Sequence, residues 1–434
     1  MDESPYIKPI ALGSFISSIS LAFDLAENNQ LQHARRVAYI AVRLAEKMGF
    51  DAAATSRVLF AGLLHDIGAT ESFDELVAEG GRIDPAGGGN DAREAGTAGP
   101  SASVRQHPAR GCDIVRGLPY LSEVADVIRY HHERWDGLGY PYGFPGREVP
   151  LEARVIYLAD RLELAYEMAA GGTAKEAAVR SRLEAGGGSE FDPELVAAGR
   201  GLFGEVRFWL DLDERNVGRV VESMVARFPR VLIPRDIDQL ASVFACLIDN
   251  KSPYTANHSR DVAEFTVKLA RHFDLPAEKV DLLRVAGLLH DLGKLGVPSS
   301  ILNKPTRLSP EEYQIVKAHP YYTEHILSQV GGLGPVVGWA AMHHEHLDGA
   351  GYHSGASGDA IPWESRLVAV SDVYQALTAN RPYRPGLIPE EALRILEGEV
   401  RAHRVDAEVV DGLRELALTQ NMHSKPLDSA PVEG

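Results

Sequence analysis

Cysteine is scarce in this chain, which carries two among 434 residues, Cys112 and Cys246. They lie far apart and form no Cys-x-x-Cys pair, so nothing indicates a redox or metal-binding thiol motif. We therefore expect two buried, apolar thiols in the reducing cytoplasm.

Long apolar runs and an excess of positive charge are also lacking. No stretch of about 18 apolar residues exists to span a membrane, and the first residues, MDESPY, are too acidic for a signal peptide. With 61 acidic and 44 basic residues, the formal net charge is −17. This balance argues against a nonspecific grip on a nucleic acid polymer or an anionic membrane. An anionic substrate would need local positive charge, for which metal ions are the obvious source.

The histidines, in contrast, are numerous and follow a repeated pattern. The chain has 16 histidines, and ten of them recur at matched positions in two halves. At an offset of 225 residues the matched pairs are His33 with His258, His65 with His290 and Asp66 with Asp291. At an offset of 212 they are His107 with His319, His131 with His343, His132 with His344 and Asp160 with Asp372. A Gly-rich segment in the first half, between residues 66 and 107, accounts for the change of offset, and we expect it to be a surface loop.

The apolar residues recur at helical spacing almost throughout both halves. HARRVAYIAVRLAEKMG (33–49) and HSRDVAEFTVKLARHFD (258–274) both place apolar residues at i, i+3, i+4 and i+7. The sequence therefore predicts an all-α protein made of two tandem helical domains. The predicted boundaries are 10–205 for the first domain, 206–235 for a helical linker, 236–422 for the second domain and 423–434 for a disordered tail.

Matched His and Asp residues indicate a metal site. A single His on an apolar helix face is more often a satisfied core residue, but five His and two Asp repeated at matching spacing reverse that expectation. Imidazole and carboxylate ligands suit Fe, Mn or Zn. The adjacent pairs His131-His132 and His343-His344 point about 100° apart on a helix, which suits two metals better than one core stripe. Asp291, next to His290, is the natural bridge between two such ions.

The pattern His…His-Asp…His…His-His…Asp resembles the HD superfamily of metal-dependent phosphohydrolases. HHERWDGLGYPYG (131–143) and HHEHLDGAGYHSG (343–355) resemble the signature of its HD-GYP branch, and SDVYQALTANRPYRPG (371–386) is similar to that branch's segment after the last metal ligand. The resemblance implies a phosphodiesterase that opens a cyclic dinucleotide. Such enzymes use two metals about 3.5–4 Å apart to lower the pKa of a bridging water and to clamp the phosphoryl oxygens.

Carried over onto this chain, the resemblance implies a dinuclear site in each half. In the second half one metal would be held by His258, His290, Asp291 and Asp372, and the other by Asp291, His319, His343 and His344. In the first half the matching ligands are His33, His65, Asp66, His107, His131, His132 and Asp160. Trinuclear relatives add a Glu four residues before the first His, where this chain has Tyr254 and Asn29. We therefore expect two divalent metals per site. Fe or Mn is the preferred expectation, and Zn, Ni or Mg are the alternatives.

The two halves differ in the positive residues that the resemblance assigns to substrate phosphate. Lys294 of the second half aligns with Ala69, and the segment 381–384, which contains Arg381 and Arg384, aligns with Ala-Ala-Gly-Gly at 169–172. We expect Asp291 and Lys294 to be catalytic in the second half, with Lys294, Arg381, Arg384 and Tyr352 as the substrate-binding residues. The first half is expected to bind metal without turnover, unless Arg134, Arg161 or another cation replaces Lys294.

The second half differs from the HD-GYP signature at two further positions, which leaves the identity of the substrate open. In the second half His353 replaces the Pro of Gly-Tyr-Pro, and His346 replaces the Arg that follows His-His-Glu. Either imidazole could contact the substrate or be idle. The sequence favours cyclic di-GMP as the substrate of the second half, with 3',3'-cyclic GMP-AMP as the alternative. A nonenzymatic protein that senses nucleotides or binds partners is the rival from another class, and a homodimer is left open.

Overall fold

Helices form nearly all of the regular structure, which confirms the all-α prediction. The computed structural model describes residues 8–26, 32–69, 101–252, 257–380 and 385–418. The helices of the first half are α1 (Leu12–Ala26), α2 (His33–Lys47), α3 (Ala52–Leu64), α4 (Ala102–Arg116), α5 (Ala125–Arg129), α6 (Leu151–Glu167), α7 (Thr173–Gly186) and α8 (Pro193–Leu202). Between the halves lie α9 (Val206–Leu212) and α10 (Glu214–Val225).

The second half repeats this order, except that two helices stand in place of α4 and that one short helix has no counterpart among the described residues. Its helices are α11 (Pro234–Asn250), α12 (His258–His272), α13 (Ala277–Leu289), α14 (Ser299–Leu302), α15 (Pro310–Lys317), α16 (His319–Leu327), α17 (Pro335–Ala341), α18 (Trp363–Thr378), α19 (Pro389–Arg401) and α20 (Ala407–Leu418). Short 3₁₀ helices are Ile67–Ala69, Ser122–Val124, Gly146–Glu148, Leu292–Gly296 and Gly358–Ala360. Each half thus carries its ligands on the same sequence of elements.

Close helix packing sets the core of each half. A Cβ on Gly62 of α3 would lie 2.6 Å from Cα of Ala38 on α2, so only glycine permits this approach. Gly287 of α13 repeats the contact with Ala263 of α12, where the added Cβ would lie 2.7 Å from Cα. The two glycines lie three residues before the His-Asp dipeptides, and the two alanines lie five residues after the histidines that begin α2 and α12. This packing therefore brings the dipeptides close to those histidines.

The N-terminal segment ties the two halves together. Strand β1 (Ile10–Ala11) pairs antiparallel with β2 (Val231–Leu232), which follows α10. Helix α1 then packs against the Leu292–Gly296 turn and α16 of the second half. On α2, Arg35 donates from Nη2 to Oε1 of Gln329 in the second half at 3.0 Å. The two-stranded pair was not predicted, because each strand has only two residues.

Some predictions made from the sequence can be compared with the structure, and one of them is wrong. Cys112 is buried but Cys246 is exposed, so the expectation of two buried thiols is wrong for Cys246, which lies on an outward face of α11. Among the described residues, no helix is long and apolar enough to cross a membrane. The segment 206–235 is helical where α9 and α10 lie, while the domain boundaries themselves stay a prediction. The tail (423–434) and most of the Gly-rich segment (78–103) lie outside the described residues, but from Ala102 that segment belongs to α4, so the prediction of a loop is wrong for its end.

Candidate metal centres and active site

The predicted ligands of the second half sit at the ends of helices and meet at one point. His258 begins α12, His290 and Asp291 directly follow α13, His319 begins α16, His343 and His344 follow α17, and Asp372 lies within α18. Helix ends bring side chains from separate elements together without interrupting the helices. We call this cluster the second centre.

Asp291 lies in the middle of the second centre. Its Oδ2 is 3.4 Å from Nε2 of His258 and 3.3 Å from Nε2 of His290. Its Oδ1 is 3.2 Å from Nε2 of His319 and 3.8 Å from Nε2 of His343. The two oxygens therefore face two groups of imidazoles, which is the arrangement of a carboxylate that bridges two ions.

The remaining ligands complete two groups. Oδ1 of Asp372 lies 3.3 Å from Nε2 of His258, and its Oδ2 lies 4.0 Å from Nδ1 of His344. Ligand atoms within 4.8 Å of one another occur in three sets: His258, His290 and Asp372; His319, His343 and His344; and His290, Asp291 and His343. The first two sets each fall within one of the two ligand sets expected from the resemblance, and the third joins residues of both. The assignment of each side chain to an ion stays a prediction.

Backbone carbonyls orient three of these imidazoles. Nδ1 of His290, His319 and His343 each donates to the carbonyl oxygen three residues earlier, at 2.7 Å in every case. A carbonyl only accepts, so Nδ1 carries a proton in each ring. Burial lowers the pKa of His319 and His343, so their Nε2 atoms direct lone pairs at the Asp291 carboxylate. Lone pairs facing a buried carboxylate repel one another unless a cation lies between them.

The protonation states suit metal binding. Burial holds the pKa of His343 well below its usual value and lowers the pKa of His344 to about 3, so both are neutral ligands at pH 7. Burial alone would raise the pKa of Asp291, but the positive charges of His290 and Lys294, together with hydrogen bonds from His258 and His290, outweigh burial and keep Asp291 ionised. Within the described residues, Nε2 of His290 and Oδ1 of Asp291 are buried without a hydrogen-bond partner. These orphaned atoms and the donor set fit a pair of divalent transition metals.

The first half contains a matching cluster, which we call the first centre. Oδ2 of Asp66 lies 3.0 Å from Nε2 of His65, and its Oδ1 lies 3.1 Å from Nε2 of His107 and 3.6 Å from Nε2 of His131. His132 joins Asp66, His107 and His131 in one potential metal-binding set. Burial opposes a charge on His65, yet Asp66 outweighs burial and raises the pKa of His65 to about 9. Asp66 thus holds a positive partner, as a metal-binding carboxylate does.

The two centres differ at the cations near their carboxylates. In the second centre Nζ of Lys294 contacts Oδ2 of Asp291. In the first centre the lysine position is the buried Ala69, and Nη2 of Arg161 instead lies 2.5 Å from Oδ2 of Asp160, a carboxylate whose Oδ1 is 3.7 Å from Nε2 of His33. Arg161 therefore reaches a ligand of the first centre but not its bridging Asp66. Arg134, the other suggested substitute, pairs with Asp136 at 2.6 Å.

One position behind the ligands was missed by the sequence reasoning. Nδ1 of His258 lies 2.7 Å from Oε1 of Gln375, and Nδ1 of His33 lies 2.6 Å from Oε2 of Glu163. Glu163 and Gln375 occur at the same offset of 212 as the last Asp ligands and follow them by three residues, one turn along the helix. That spacing was a usable signal, because i and i+3 share a helix face.

Of the other residues predicted to bind substrate, the structure describes Tyr352. Tyr352 packs on the ring of His344, with centroids 4.5 Å apart and planes at 36°. Arg381 and Arg384 lie outside the described residues, as do Tyr254 and Asn29.

The two histidines that replace signature residues both approach acidic groups. Nε2 of His353 is 3.1 Å from Oε2 of Glu324, and Nδ1 of His346 is 4.0 Å from Oδ1 of Asp348. The second contact takes the place of the Arg134 pair in the first half. His353 thus contacts helix α16, whereas His346 lies near an acidic residue of its own loop.

Comparison with known proteins places this site in a family. The HD domain family matches residues 21–195 and 242–409, covering most of both halves. The chain therefore belongs to the HD domain family, with one domain in each half.

Its relatives narrow the class further. It is 32% identical over 424 residues to 3'3'-cGAMP-specific phosphodiesterase 1 of Vibrio cholerae serotype O1, covering 96% of this chain and 93% of that protein. It is 35% identical over 199 residues, 44% of this chain and 45% of the relative, to a cyclic di-GMP phosphodiesterase of Pseudomonas aeruginosa. The crystal structure of a cyclic GMP-AMP specific phosphodiesterase from V. cholerae aligns with 95% of this chain and 98% of its own, at 28% identity and a TM-score of 0.68. The expected resemblance to HD-GYP phosphodiesterases is confirmed.

Proposed function

We propose that the second centre hydrolyses a phosphodiester bond of 3'3'-cGAMP in a metal-dependent reaction. The observation that carries the proposal is the combination, in one buried cluster, of the complete His and Asp ligand set with Lys294 against Asp291. The first centre has the ligands without that lysine. Two bound metals would supply a nucleophilic water at neutral pH and neutralise phosphoryl oxygens.

Lys294 serves as a fixed charge in this reaction and not as a base. Burial opposes its protonation, but the surrounding carboxylates, Asp291 first and then Asp372, together outweigh burial and raise the pKa of Lys294, so the amine is a cation at neutral pH. In a protein of net charge −17, a cation beside the bridging carboxylate offsets local repulsion of an anionic substrate. It also stabilises charge that develops on the phosphoryl oxygens as the ester bond breaks.

The choice of nucleotide rests on the relatives. The sequence favoured cyclic di-GMP, but the findings favour the alternative. A relative named for 3'3'-cGAMP is similar along 96% of this chain, whereas the cyclic di-GMP phosphodiesterase of P. aeruginosa is similar along 44%. A second relative named for 3'3'-cGAMP is 34% identical over 72% of this chain and 67% of its own length. The tandem arrangement is thus shared with proteins named for the mixed nucleotide.

The first centre we assign to metal binding without turnover. Ala69 replaces the lysine, and residues 169–172 carry no charge where the second half has two arginines. Arg161 is already paired with Asp160 and is therefore a poor anchor for phosphate. The first domain would then support the second structurally, through the packing of α1 on the turn that carries Lys294.

A substrate panel tests this proposal. Purified protein loaded with Mn²⁺ or, under anaerobic conditions, with Fe²⁺ is incubated with 3'3'-cGAMP, cyclic di-GMP and cyclic di-AMP, and the products are separated by chromatography and identified by mass. We expect 3'3'-cGAMP to be opened with the highest kcat/KM. A higher kcat/KM for cyclic di-GMP would contradict the nucleotide assignment, and absence of turnover with all three would contradict the enzymatic function.

A further inference from the structure

An exposed aromatic and cationic patch borders the second centre. Tyr313 and Lys317 are four residues apart on α15, so they share a face of that helix. One residue, Ala318, separates the end of this helix from His319, which begins α16. Because α15 is anchored directly to a metal-binding position, its side chains keep a fixed place relative to the centre.

Three side chains of this patch contact one another. The hydroxyls of Tyr313 and Tyr352 are 3.2 Å apart, and Nζ of Lys317 lies 4.8 Å from the ring centroid of Tyr352. Tyr352 in turn packs on His344. The patch therefore begins at the metal ligands and extends outward to Tyr313, whose surface is 44% exposed.

The charge of Lys317 is open to a ligand. Within the part of the chain that the structure describes, Lys317 has no carboxylate within ion-pair distance, although acidic residues outnumber basic ones. Its contacts are with the faces of two aromatic rings, that of Tyr352 and that of Tyr313 at 6.0 Å. A cation held this way keeps its hydrogen-bond donors for an anion.

The first half lacks the outer part of this patch. By the offset of 212, Arg105 matches Lys317, Tyr140 matches Tyr352, and Ser101 stands where the second half has Tyr313. Arg105 lies 5.7 Å from the ring centroid of Tyr140, so the inner cation and ring are repeated. Ser101 caps α4 and offers no ring. An aromatic at this matched position thus occurs only in the half to which we assign turnover.

We infer that Tyr313, Lys317 and Tyr352 form a subsite for the part of the dinucleotide that is not being cleaved, a deepening that rests on the proposed function. A cyclic dinucleotide holds two phosphates and two bases in one ring. When one phosphate occupies the second centre, the other half of the molecule must extend outward along this patch. Tyr313 then stacks on a purine base and Lys317 contacts the second phosphate.

Binding of a slowly hydrolysed probe tests the subsite separately from turnover. The probe is the bis-phosphorothioate analogue of 3'3'-cGAMP, titrated by calorimetry into the full-length, metal-loaded protein. We expect Tyr313→Ala to raise Kd about 5- to 100-fold, the range typical of losing one base–aromatic stack. Tyr313→Phe, which keeps the ring, should stay within about twofold of the parent protein. Lys317→Ala should raise Kd about 10-fold and weaken the dependence of Kd on salt.

The controls separate binding from folding and from the proposed function. Arg105→Ala removes the matching cation of the first half and should leave Kd within about twofold. Metal content and the thermal midpoint of Tyr313→Ala and Lys317→Ala should equal those of the parent. The subsite is wrong if both variants bind the probe as the parent does, or if the parent does not bind it. Tight binding by the parent without hydrolysis of 3'3'-cGAMP would instead contradict the proposed function and leave the subsite supported.

Discussion

Single residues at matched positions set the difference between the two centres. Asp291 of the second centre contacts Lys294, whereas in the first centre the nearby cation, Arg161, pairs with Asp160, the match of Asp372. Val373 stands at the second-half position of Arg161. We therefore attribute the proposed difference in turnover to positive charge, at Lys294 and in the segment 381–384, and not to the ligand set, which both halves share.

Removal of the lysine charge should slow the chemistry without releasing the metals. We expect Lys294→Ala to lower kcat for 3'3'-cGAMP by about 10²–10³, the usual effect of losing one group that stabilises transition-state charge. Metal per chain, measured by inductively coupled plasma mass spectrometry, should stay at the parent value. A variant that had lost its metals would show that Lys294 supports the ligands and not the substrate.

The carboxylate behind His33 should strengthen metal binding at the first centre. Glu163 accepts from Nδ1 of His33 and also from Arg36 at 2.9 Å, while the second centre uses the neutral amide of Gln375. A carboxylate partner makes the ligating imidazole more basic, so Glu163→Gln should weaken metal affinity at the first centre about 10- to 100-fold. Chelator-competition titration measures this affinity, and Gln375→Glu is the matched control, with stronger binding at the second centre expected. Equal affinities in both variants and the parent would refute this role.

At the scale of elements, the two halves use helix ends to assemble ligands and glycines to bring the elements together. Gly293, in the turn after Asp291, is packed so closely against α16 that an added Cβ would lie 2.0 Å from the carbonyl oxygen of His319. Gly68 repeats this contact with His107 at 2.2 Å. Each centre therefore depends on backbone contact between the His-Asp turn and the helix that carries the next histidine.

Gly293→Ala should consequently disturb the second centre alone. The methyl group would push His319 away from Asp291, so we expect loss of metal from the second centre, retention in the first, and a stability loss of about 1–3 kcal/mol. Gly338→Ala is the control, because a Cβ there would meet nothing within 4 Å although Gly338 lies in α17, close to His343. Metal analysis and thermal denaturation of both variants check the prediction. Full metal content in Gly293→Ala would contradict it.

Some of the elements could be predicted from the sequence, and others could not. Periodicity predicted an all-α protein of two tandem domains, and the duplicated His and Asp pattern resembled the HD superfamily. Both predictions are confirmed, because a repeated pattern constrains both fold and site. The β1–β2 pair, the packing of α1 on the second half and the patch around Tyr313 depend on contacts between distant segments, for which the sequence carries no local signal. The nucleotide could not be read from the motif either, since the ligands act on any phosphodiester. The roles of the individual site residues stay predictions.

On the scale of the whole molecule, the first domain contacts the turn of the second domain that carries Lys294. Helix α1 packs against the Leu292–Gly296 turn, and Arg35 reaches Gln329 from the helix that begins with His33. Asp24, near the end of α1, accepts from the backbone N–H of Ala34 at 3.0 Å and so fixes the start of that helix. Metal at the first centre would therefore stabilise an element that supports Lys294.

The central claim, one catalytic centre and one supporting centre, is tested most directly by comparing two double variants. His290→Ala/Asp291→Ala and His65→Ala/Asp66→Ala are each assayed for metal per chain and for kcat with 3'3'-cGAMP. We predict that each loses about half of the bound metal, because each change removes the proposed bridging carboxylate and a ligand of one centre. Turnover should be abolished only in His290→Ala/Asp291→Ala and should persist in His65→Ala/Asp66→Ala. Half of the parent turnover in both variants, or parent-level turnover in His290→Ala/Asp291→Ala, would contradict the account.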